Sequence, residues 1–252
     1  MNLKNIIYKS EIPFHITKKT AYATLLMFLA FDALFVIIYL ISTLPEIQKL
    51  TISHRLAFLD LDTEANLPTN YVILKLYFSS IISVLMVFWY KNRAPMFWKL
   101  AALVLFIIGL DESAQLHELW AAGLATKLFG TAYLSGNQFT ILPYALIFGI
   151  FYLSSLTLFP KSSKVVFVCF VLSGLFMILS QAAEWSFRPA MEIMFDTFDI
   201  FSSAIGRFGK DTLIFAWEEG LEMVGYSLLC GGVIIGVYSV QKAEESDSTY
   251  SS

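Results

Sequence analysis

Apolar residues gather along the chain in six long blocks separated by polar segments. The blocks are Ala21–Leu44, Tyr71–Tyr90, Trp98–Trp120, Phe139–Phe159, Val165–Trp185 and Asp211–Val240. A helix that crosses a bilayer needs roughly 20 mostly apolar residues, and each block reaches that length. None alternates apolar and polar positions as the roughly 10-residue strands of a membrane β-barrel do. The pattern predicts an all-α polytopic membrane protein, a six-transmembrane-helix bundle. The first block follows Lys4, Lys9, Lys18 and Lys19, as a signal peptide would. It is about twice the roughly 7–15 residues of a signal-peptide apolar core, so it reads as a retained helix.

One further element has a different pattern. Met191, Met194, Phe195, Phe198, Phe201, Ile205 and Phe208 recur at three- and four-residue spacing, with Glu192, Asp196, Asp199, Ser203 and Arg207 between them. This predicts an amphipathic helix lying on the outer membrane surface. Residues 1–240 read as one transmembrane domain, and residues 241–252 as a disordered, acidic and Ser-rich tail.

Composition narrows the class. The 252 residues are 57% hydrophobic and only 15% charged, against roughly 25% charged in a soluble domain. That excludes an ordinary soluble enzyme. A net charge of −3 leaves no basic footprint for nucleic acid. Two cysteines, Cys169 and Cys230, build no disulfide framework.

Orientation follows from Lys and Arg, which concentrate in cytoplasmic loops. With the N-terminus inside, the inner segments hold Lys4, Lys9, Lys18, Lys19, Lys91, Arg93, Lys99, Lys161, Lys164 and Lys242. The longer outer loops hold Lys49, Arg55, Lys127, Arg188, Arg207 and Lys210. Both termini are therefore expected in the cytoplasm.

The acidic residues point to chemistry. Asp111, Glu112, His117 and Glu118 lie in the outer part of the third block, and Gln181 and Glu184 near the outer end of the fifth. Glu218, Glu219 and Glu222 lie in the outer half of the sixth, within one arc of roughly 100° together with Tyr226. Asp111 and Glu118 share a stripe that Glu112 and His117 flank. Carboxylates facing lipid are costly and normally turn to the bundle interior. Three polar stripes at one depth predict an acidic chamber open to the outside. Apart from Lys99 at the inner end of the third block, the only lysine within the blocks is Lys75, placed near the outer end of the second, so the chamber calls for bound cations or protons.

Known motifs fit poorly. A di-iron bundle needs Glu-x-x-His, whereas Glu112 and His117 are five residues apart and face away from each other. HExxH is absent, and His15, His54 and His117 are the only histidines. Oxygen-rich ligands favour Ca²⁺, Mg²⁺ or Mn²⁺ over Zn²⁺. The loop Asp60, Asp62, Glu64 begins like a calcium loop, but Ala65 replaces the required glycine and Tyr71 the final glutamate. Asn66, Pro68 and Asn70 are turn and cap residues leading into the next helix.

Three segments, LDLDTEANLPT (59–69), DESAQLHE (111–118) and EEGLEMVG (218–225), together resemble a widespread set of bacterial multi-pass membrane proteins that carry them in this order. The resemblance implies bacterial origin, hence the inner (plasma) membrane, and one shared site. It supplies no activity.

The leading expectation is a cation- or proton-binding protein, a transporter or channel component, with Asp111, Glu112, Glu118, Glu184, Glu218 and Glu222 as ligands. One alternative is a metal-dependent enzyme acting on a lipid or periplasmic substrate, with His117 or Glu219 as general acid/base. Another is a non-catalytic subunit whose acids pair with a partner. Expected partners are membrane lipids and either a second copy or another membrane subunit, with no nucleic acid.

Overall fold

The computed structural model describes residues 15–48, 61, 66–89, 95–114, 116, 146, 149–151, 163–182 and 208–250. Every regular element among them is an α-helix: α1 (Lys18–Ser42), α2 (Pro45–Gln48), α3 (Leu67–Trp89), α4 (Pro95–Ala114), α5 (Lys164–Ala182) and α6 (Lys210–Tyr250). Most of the expected fourth span (139–159) and all but Phe208 of the surface helix (191–208) lie outside the described residues.

Three helices are long and apolar enough to cross a membrane: α1, α3 and the stretch Thr212–Ser246 of α6. α5 supplies a shorter apolar stretch, Lys164–Ser180. α4 has a span's length, 20 residues, but it carries Lys99, Asp111 and Glu112.

Local chemistry sets the helix starts. Thr17 caps α1, its hydroxyl accepting from the Thr20 N–H at 3.1 Å, so the helix begins three residues before the apolar block. Asn66 does the same for α3, its side-chain oxygen accepting from the Thr69 N–H at 2.7 Å. α3 therefore begins four residues before Tyr71, and Lys75 falls about 12 Å down the helix axis rather than near its end. Gly209 has φ +83°, a left-handed conformation that glycine adopts without penalty, and leads the chain into α6.

α6 is the central helix, packed against α1, α3 and α5, while α4 packs on α3. Of the 18 most apolar consecutive residues in each helix, 83% are buried in α6, against 22% in α1 and 44% in α3. The contacts fix the directions. A Cβ on Gly220 would meet Val36, and one on Gly231 would meet Leu25, so α1 runs antiparallel to α6. Gly225 faces Met177 and Gly232 faces Phe170, so α5 is antiparallel too. α3 runs parallel to α6, since Pro68 and Thr69 lie by Glu219 and Glu222 while Lys75 lies by Cys230. Ser80 bonds Ala102 and Tyr77 bonds Ser113, which makes α4 antiparallel to α3. The outward faces of α1, α3 and α5 expose Leu26, Ile37, Leu74, Ile81, Phe167 and Ile178. A surface this apolar suits lipid rather than water.

α6 continues past Val240, into the segment expected to be disordered. Gln241 is buried there, its side-chain oxygen accepting from the Ile16 N–H at 3.0 Å. His15 and Glu245 lie 3.2 Å apart. The N-terminal end of α1 and the C-terminal part of α6 therefore share one side of the bundle.

Candidate functional site

At the other end, α3 and α6 begin and α4 finishes. Leu61, Pro68, Thr69, Val72, Glu112, Glu219, Glu222, Met223 and Tyr226 line a small, open cleft there. Glu219, Glu222, Met223 and Tyr226 follow the i, i+3, i+4, i+7 spacing of one helix face, which turns them jointly toward α3 and α4. Glu112 comes from α4 and accepts a hydrogen bond from the Tyr226 hydroxyl at 2.8 Å.

Below the cleft lies a buried ion pair. The Lys75 ammonium (α3) stands 3.1 Å from Asp32 Oδ1 (α1), and the two side chains are 1% and 0% exposed. Lys75 also donates to the Met223 carbonyl at 2.9 Å and to Ser227 Oγ at 2.8 Å. Its three N–H bonds thus meet three oxygens, the full donor capacity of an ammonium. The Tyr71 ring lies 4.8 Å from Nζ, within cation–π range, and the Tyr71 hydroxyl donates to the Phe28 carbonyl at 3.0 Å. Asp32 Oδ2 is buried and has no hydrogen-bond partner among the described residues. Met223 joins the two levels, lining the cleft while its carbonyl holds Lys75.

A family model described as "Domain of unknown function (DUF8692)" matches residues 28–235. The chain belongs to the DUF8692 family. No curated protein and no solved structure matches it. The DUF8692 segment contains Asp32, Lys75, Glu112, Glu219, Glu222 and Tyr226, and it ends before the docked stretch at Gln241.

Of the carboxylates singled out from the DUF8692 sequence, Glu112, Glu219 and Glu222 meet at the cleft. Glu112 flanks the Asp111 stripe by helix geometry, yet it is the α4 residue that reaches Tyr226. Asp111 is buried on α4 and Glu218 half-buried on α6, and neither lines the cleft. His117, Glu118 and Glu184 lie outside the described residues. Among the described residues, no group of three or more His, Cys, Asp or Glu could hold a metal ion.

Sequence reasoning missed the Asp32–Lys75 pair. Two opposite charges inside two apolar blocks were the available signal, because intramembrane ionisable groups pair with one another. Placing Lys75 at a helix end concealed it. The chamber is thus not purely acidic, since a lysine lies immediately beneath it.

Proposed function

We propose that this is a bacterial inner-membrane protein of six spans, both termini cytoplasmic, that binds a cation or protons at an outward-facing acidic site as part of a transporter or channel. The observation that carries the reading is the convergence of Glu112, Glu219 and Glu222 with Tyr226 on one cleft, continuous through Met223 with a buried ion pair. Carboxylates gathered in one cleft attract cations or retain protons, and ionisable groups at membrane depth are the usual markers of ion or proton pathways. The excess of Lys and Arg on the side of both termini supports the orientation.

Binding and flux in liposomes containing the purified protein test the reading. Glu222→Gln removes one charge from the cleft and is expected to weaken cation or proton binding about tenfold, the equivalent of about 1.4 kcal/mol. Unchanged binding in this variant would falsify the assignment. Element analysis of the same preparations separates a bound divalent metal from protons.

A further inference from the structure

The cleft does not use Asp32, and among the described residues Oδ2 of that carboxylate accepts no hydrogen bond, with the Ser227 hydroxyl the nearest polar neighbour besides Lys75. Buried carboxylate oxygens normally accept hydrogen bonds, yet Oδ2 has no partner among the described residues while Oδ1 holds Lys75. The ammonium has two further acceptors on α6, Met223 O and Ser227 Oγ, so it keeps a seat there if α1 lets go. We propose that Asp32 Oδ2 is a buried proton-binding site whose occupation releases Lys75 from α1. This rests on the cleft reading for its access route, through Met223.

The step is a simple one. A hydronium ion of the outer solution supplies the proton: an O–H bond forms at Oδ2, one O–H bond of the hydronium breaks, and water is left behind. The carboxyl loses its charge, the attraction at Oδ1 falls to that of a neutral acceptor, and Lys75 stays on α6. Loss of the proton restores the pair. The ionisable groups facing Asp32 among the described residues are Lys75 and Tyr71 from α3 and Cys230 from α6. Glu112 of α4 acts on Lys75 from the cleft side. Of these, Lys75 alone meets Asp32 as a formal charge at contact distance.

The consequence concerns how α1 is held. α1 packs on α6 but reaches α3 through long side chains, the Lys75 contact with Asp32 and the Tyr71 contacts with Phe28, Phe31 and Phe35. A proton on Asp32 removes the charged one. Proton binding at the centre of the bundle thereby becomes a change in the α1–α3 connection.

Infrared difference spectra of the full-length protein in liposomes, between alkaline and acidic buffer, read the event directly. The expected result is the carbonyl stretch of a protonated carboxylic acid that grows on acidification and is lost in Asp32→Asn. Lys75→Met is expected to leave Asp32 protonated in both buffers, because a buried carboxylate without a cation takes a proton instead. The band then persists in both and drops out of the difference. Retention of every pH-dependent carboxyl band in Asp32→Asn overturns the proposal, as does a wild-type difference spectrum in Lys75→Met. Glu112→Gln tests the route separately, by slowing the rise of the Asp32 band after a pH jump. An unchanged rate overturns access through the cleft, while the band itself reports on Asp32.

Discussion

Lys75 shows how a single side chain can be over-determined by its surroundings. Three oxygens take its three N–H bonds, two of them from α6 and one from α1, and an aromatic ring covers it. Breaking a buried pair by removing one partner typically costs about 3–5 kcal/mol, whereas replacing both with neutral groups is often tolerated. Asp32→Asn is accordingly expected to lower stability at neutral pH by an amount in that range. Adding Lys75→Met should recover most of the loss, as unfolding of the single and double variants in detergent can measure. Strictly additive losses would show that the two side chains act independently. The pairing was not legible from sequence because 43 positions separate the residues, and their meeting depends on how α1 and α3 are rotated about α6. The Glu219, Glu222, Tyr226 face was legible, since helix periodicity alone aligns it.

At the scale of the helix, α6 meets its neighbours through glycines. A Cβ on Gly231 would lie 2.5 Å from Leu25 Cδ1 and 3.0 Å from Leu25 Cβ, so the α1 backbone itself would have to shift. A Cβ on Gly225 would meet mainly the flexible end of Met177, with Sδ at 2.8 Å, and methionine adapts readily. Gly231→Ala is therefore expected to cost about 1–3 kcal/mol, the usual range for overpacking. Gly225→Ala should cost less, and equal midpoints in thermal unfolding would refute this ranking. Gly232 packs within the subunit, against Phe170 and Cys169 of α5. Helix positions were legible from hydropathy, but the starts were set by Thr17 and Asn66, whose capping bonds lie outside any apolar count.

For the molecule as a whole, both ends of the bundle are defined by contacts far apart in sequence. The His15–Glu245 contact spans 230 positions and the Ile16–Gln241 bond 225. Residues 17 and 246 must then face the same compartment, which requires an even number of crossings between them. Single cysteines at Thr17 and Ser246, with Cys169 and Cys230 replaced, are expected to label from one side of sealed vesicles. Labelling from opposite sides would contradict the fold. The tail read as disordered because Ser, Glu and Asp dominate it, and only the packing of Gln241 against the start of α1 explains why α6 runs on.

The order of synthesis gives the central position of α6 a further meaning. The ribosome makes α6 after α1, α3 and α5, all of which pack against it. Asp32 and Lys75 are both made well over a hundred residues before Met223 and Ser227 exist to complete the shell around the ammonium. During that interval the two charges have each other and Tyr71, all carried on α1 and α3. Early pairing would let this hairpin wait in the bilayer without an isolated charge, and the arrival of α6 would then lock it. The ion pair would then serve assembly before it serves the finished bundle.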